Sequence, residues 1–88
     1  MNHTPVKVVA VTASAGATTI SDKHRAIIIS NSGGATTAVV TLVFMDKNGQ
    51  NTGDFVIRIV GNSGPFYIPC RITSVSCSGS NITVALLV

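Results

Sequence analysis

Thr37 to Met45 places Val40, Leu42 and Phe44 on one side of an extended strand and Val39, Val43 and Met45 on the other. Both faces of such a strand need cover. A chain of 88 residues has material for one core, and not for the outer layers that a sheet buried on both sides requires. This mismatch predicts a small β domain whose surplus apolar surface is covered by other protein subunits.

The pattern recurs along the chain. Val6 to Ala13 alternates, with Val6, Val8 and Ala10 on one face and Val9 and Val11 on the other. Arg25 to Asn31 carries Ile27-Ile28-Ile29, a run suited to a strand covered on both sides. Asp54 to Val60 turns Phe55, Ile57 and Ile59 inward and Asp54, Val56, Arg58 and Val60 outward. Phe66, Ile68, Cys70 and Ile72 share a phase that slips at Val75 and Cys77, which predicts a bulge or bend near Thr73-Ser74. Pro65 and Pro69 lack ladder donors and place that strand at an edge. Ile82, Val84, Leu86 and Val88 form a last inward row.

Punctuation between these runs is regular. Ser14-Ala15-Gly16-Ala17 reads as a loop, and Asn31-Ser32-Gly33-Gly34, Gly61-Asn62-Ser63-Gly64 and Ser78-Gly79-Ser80-Asn81 read as turns. Asn48-Gly49, within Asp46 to Asn51, is the strongest hairpin signal, because both residues tolerate positive φ. No segment shows helical spacing. The expectation is one all-β domain over residues 1–88, a small antiparallel β-sandwich or barrel of jelly-roll-like form.

Only 10% of the residues are charged, against about a quarter in an ordinary soluble domain. The longest nearly apolar run, Ala38 to Met45, is far shorter than the ~20 residues of a membrane-spanning helix, so no membrane partner is expected. Lys7 followed by Val8 to Val11 and Ala13-Ser14-Ala15 imitates a signal peptide, but the apolar stretch is short and Thr12 interrupts it. The sequons at Asn2 and Asn81 matter only in a secreted eukaryotic chain. The net charge of +3 comes from Lys7, Lys23, Arg25, Lys47, Arg58 and Arg71, which form no tract. With no Trp and a single Tyr, the chain also lacks stacking platforms, so no nucleic-acid partner is expected.

Candidate chemistry is sparse. The acid–base inventory is His3, His24, Asp22, Asp46 and Asp54 with no Glu, and no serine stands in a recognisable nucleophile setting, so no catalytic site is expected. Asp46-x-Asn48-x-Gln50 opens like a calcium loop, yet Gly49 is misplaced and no closing Glu follows. Cys70 and Cys77 lack zinc spacing. They either pair across a bend or stay reduced and buried, and the second reading is favoured without an export signal. No metal or cofactor is expected. Tyr67 beside Phe66 offers a thin sugar platform and reads better as an interface or corner residue.

The C-terminal third carries Phe66-Tyr67-Ile68-Pro69-Cys70-Arg71-Ile72-Thr73-Ser74-Val75, a small polar turn, and Ile82-Thr83-Val84-Ala85-Leu86-Leu87. This ending resembles that of small tailed-phage virion proteins, the family that includes the spike-base proteins of phage and gene-transfer-agent heads. Thr18-Thr19-Ile20-Ser21 before Arg25-Ala26-Ile27 is similar to that family's entry into its second strand, and Ser32-Gly33-Gly34 to its next turn. Val88 stands where the family closes on an aromatic residue, and Met45 to Gly61 is longer than the family pattern. The resemblance implies a virion accessory subunit, a vertex spike base or a capsid decoration (cement) protein, and it supplies no catalytic residue.

The expectation is therefore a non-enzymatic virion component that self-associates as a pentamer or trimer and binds the major capsid protein or another virion protein. Val39, Val43, Met45, Val56 and Val60 would supply apolar contact area, with Arg58, Tyr67 and Arg71 as orienting contacts. A secreted ligand-binding or adhesive module would instead predict a Cys70–Cys77 disulfide. A tail-associated virion protein is a third reading, and a small hydrolase would need His24, an Asp and a Ser in one pocket.

Overall fold

The computed structural model describes residues 5–31, 36–61, 63 and 65–88. Eight strands follow in order: β1 (Pro5–Val11), β2 (Thr18–Thr19), β3 (Ala26–Asn31), β4 (Ala38–Met45), β5 (Asn51–Ile59), β6 (Phe66–Ile68), β7 (Ile72–Ser78) and β8 (Ile82–Leu87). They form two four-stranded sheets, ordered β1-β8-β3-β6 and β2-β7-β4-β5, with every pairing antiparallel. This strand order is that of a jelly roll.

Alternation explains the core. Ile27, Ile29, Ile82, Val84 and Leu86 of the first sheet meet Val40, Leu42, Ile59, Ile72 and Val75 of the second, all at 0–1% exposure. Each such aliphatic side chain contributes roughly 1.5–3 kcal/mol on leaving water. The Asn-Gly hairpin also forms: Asp46 Oδ1 accepts from the Asn48 and Gln50 amides at 2.8 and 2.9 Å, and Gly49 takes a φ of 80°. At Gly79, with a φ of 81°, an added Cβ would stand 2.6 Å from the Thr37 carbonyl oxygen, so the β7–β8 turn excludes side chains both by conformation and by space.

The expected bulge is present. Val43 pairs with Ser74 and Phe44 with Ile72, which leaves Thr73 as the extra residue. Phe66 to Cys77 is nevertheless two strands, because Pro69–Arg71 carries the chain from the first sheet to the second. β6 lies at an edge, as its flanking prolines require. The short strand β2 has no counterpart in the sequence reading as a separate ladder.

Five side chains depart from the expected faces. Phe55 and Phe66 have inward parity but are half-exposed, Val88 lies past the end of β8 and is exposed, and Cys70 is exposed where burial was expected. Leu87, by contrast, has outward parity yet is buried against Ala26. The segment after β5 crosses between sheets and does not close a hairpin. His3, the Asn2 sequon, the Ser32-Gly33-Gly34 turn, Asn62 and Gly64 lie outside the described residues.

The outer face of the second sheet corrects the opening expectation in part. Val39, Val43 and Val56 sit there among Thr41, Ser74, Ser76, Ser78, Asp54 and Arg58, so this face is two-thirds polar. β7 contributes serines alone to it between Ser74 and Ser78. Apolar surplus is concentrated elsewhere.

Candidate functional site: an open, apolar edge

One surplus is a row across the outer face of the first sheet. Register places Val8 opposite Ala85, Ala85 opposite Ile28, and Ile28 opposite Tyr67. The row spans all four strands, and its ends, Val8 and Tyr67, are 62% and 51% exposed.

The second surplus is where the sandwich fails to close. β5 and β6 are the edges of opposing sheets on the same side, and between them lies a cleft of about 320 Å³ lined by Ile57, Arg58, Ile59, Phe66, Tyr67 and Ile68. The first six residues of β5 are exposed at every position, so the strand overhangs the sheet below it. Phe55 packs tilted against Phe44 of β4, at 5.6 Å between centroids and 55° between planes, and still shows half its surface. Phe66, also of inward parity, is 45% exposed across the gap.

Asn31 ties the two sheets beside this opening. From the end of β3 its Nδ2 donates to the Ile59 carbonyl at 3.1 Å and to the Thr36 carbonyl at 2.7 Å, while Ser80 donates to its Oδ1 at 2.9 Å. Sequence gave no sign of this role beyond a turn-forming residue type.

The other candidate residues are dispersed. Val39 and Val43 lie on the outer face of β4, half-buried, and Met45 ends that strand. Val56 and Arg58 are exposed on the outer face of β5, with Val60 exposed just past its end. Tyr67 lies on the opposite sheet, so the eight residues do not form one patch. Arg71 sits in the β6–β7 crossover, half-buried, with its backbone carbonyl accepting from the Met45 amide at 3.0 Å and its Nε shielded without a partner.

His24 is an architectural residue. It is 5% exposed, its Nδ1 donates to the Asp22 carbonyl at 2.8 Å, and its Nε2 accepts the Ile72 amide at 3.0 Å. Together these bonds define a neutral ring protonated on Nδ1. Both nitrogens are thus engaged with backbone, and neither is free to serve a serine. Asp22 pairs instead with Lys7 at 3.1 Å, an exposed contact worth little.

Asp46, the first residue of the calcium-like run, spends Oδ1 on the hairpin turn. Among the described residues no group of three or more His, Cys, Asp or Glu side chains is placed to hold a metal. Cys70 and Cys77 are both free. Cys77 approaches the Val11 carbonyl at 3.5 Å, and burial pushes its thiol up from the ordinary range, partly offset by a hydrogen bond from the Ile82 backbone.

Comparison with protein-family models, with curated proteins and with solved structures finds no match.

Proposed function

We propose that this chain is a non-enzymatic structural subunit of a tailed-phage virion, a vertex spike base or decoration protein that self-associates and binds the capsid shell. The observation that carries the reading is the apolar row Val8–Ala85–Ile28–Tyr67, which runs the width of one sheet with exposed ends. Sheet faces of this kind are contact surfaces, because a monomer gains nothing from holding them in water. The resemblance of the C-terminal strands to phage spike-base proteins agrees with it. So does the jelly roll, an architecture used by viral capsid domains as well as by lectins and cupins.

The adhesive-module reading has the open cleft and its two aromatic rings in its favour. It also called for a Cys70–Cys77 disulfide, and both thiols are free.

The test is compositional. Density-purified particles from the source that encodes this chain should contain it in fixed ratio to the major shell protein by quantitative mass spectrometry. Val8→Asp with Tyr67→Asp should abolish that incorporation while the fold survives by circular dichroism. Particles that lack the chain, or that take up the double variant normally, would contradict the proposal.

A further inference from the structure

Among the described residues, β5 has the longest free edge in unbroken register. β6 is three residues between Pro65 and Pro69, β2 is two residues, and β1 begins at Pro5 with a register shift before Lys7. From Asp54 to Ile59, β5 keeps unbroken register with β4, and it contains no proline. An unpaired strand of this kind is a template for another strand.

The charges on β5 select which strand. Asp54 and Arg58 share the outer face, are exposed, and among the described residues neither is ion-paired. The geometry points to a second copy of this chain, docked β5 against β5 in antiparallel order with Val56 on a two-fold axis perpendicular to the sheet. In that register Asp54 faces Arg58 of the other copy twice, Val56 meets Val56, and Phe55 meets Ile57 on the inner face. A shift of two residues leaves both charges opposite apolar or hydroxyl residues. A shift of four places Asp54 opposite Asp54 or Arg58 opposite Arg58, so the sequence disfavours the neighbouring registers as well as favouring this one.

Backbone direction agrees. The Phe44 amide donates to Thr52 Oγ1 on β5 and the Met45 amide to the Arg71 carbonyl beside β7, so the even-numbered residues of β4 face β5. Leu42 and Val40 therefore bond to Phe55 and Ile57 opposite them, and alternation turns the amides and carbonyls of Asp54, Val56 and Arg58 to the free edge, where they form the hydrogen bonds of the new ladder. The Asp54–Arg58 and Val56–Val56 pairs are then the hydrogen-bonded pairs of that ladder, with their side chains opposite one another on the outer face. Such a two-fold joins the second sheets of two copies into one continuous sheet and brings the half-exposed Phe55 of each over the open cleft side. It rests on the self-association read above and narrows it to one edge and one symmetry, in place of the five- or three-fold rings expected from sequence.

Charge reversal tests the register. The wild-type chain at micromolar concentration should have twice the chain mass by light scattering. Asp54→Arg and Arg58→Asp, each alone, should raise the dissociation constant about thirtyfold, since two attractive pairs become repulsive. Mixed in equal amounts the two single variants should pair with each other, because every cross-strand contact is again opposite in sign, and that recovery shows both are folded. Single variants that keep the wild-type mass, or that fail to pair on mixing, would overturn this contact while leaving self-association standing. A wild-type chain of single mass at every concentration would overturn both.

Discussion

The two long sides of this sandwich are built differently, and the difference locates the surface that remains to be covered. On the β1–β7 side the sheets touch directly: Val11 is buried, Cys77 reaches its carbonyl, and the Asn81 side chain accepts the Ala13 amide at 2.9 Å. His24 and the Ile20–Thr73 backbone bond hold the adjoining loop to β7. On the β5–β6 side a cleft remains, and Asn31 at the end of β3 ties the two sheets through the Ile59 carbonyl of β5. Both sides carry apolar residues of inward parity. Closure, not composition, decides whether they are core or contact surface.

Substitutions can break this contrast in graded fashion. Ile82 is fully buried beside Val11, and Ile82→Ala should cost about 4 kcal/mol in denaturant unfolding, because the closed side cannot collapse around the cavity. His24→Ala should cost about 3 kcal/mol by the same assay, since it strands the buried Ile72 amide. Asn31→Ala removes two donor contacts from a half-buried position and should cost about 2 kcal/mol, with hydrogen exchange speeding first near Ile59. Phe55→Ala deletes the largest side chain of the four. It should nevertheless cost less than about 1 kcal/mol within one chain, while weakening association, because half of that ring is already in water. A large monomer penalty at Phe55 would show that the open side is closed in solution.

Local pattern carried much of the fold. The phase of Val40 and Leu42, the Asn48-Gly49 turn, the bulge at Thr73 and the edge position of the Pro-flanked strand were all readable, because each depends on near neighbours. The change of sheet at Pro69–Arg71 was not. A three-residue strand in register with β3 looks, in sequence, like the start of β7, and only the pairing of Ile28 with Tyr67 separates them. For the same reason Cys70 was assigned a buried phase that it leaves, and Phe55 was assigned a core that ends before reaching it. The architectural roles of His24 and Asn31 were not legible, because the Ile72 amide and the Ile59 carbonyl that they bind lie 48 and 28 residues away.

Of the candidate contacts, the sequence correctly set Val56 and Arg58 on an outward face, yet the significance of Asp54 emerges only once β5 is known to be a free edge. A carboxylate and a guanidinium four residues apart on a strand are too distant to pair within it. They become complementary when the strand meets its own inverse.

Hydrogen exchange at the Asp54 and Val56 amides, followed as chain concentration is raised, tests the open edge most directly. Slow exchange at micromolar concentration, becoming fast on dilution and fast in Arg58→Asp at the same concentration, is the predicted result. Fast exchange at these two amides at every concentration, in a chain whose β4 and β7 amides stay protected, would contradict the account.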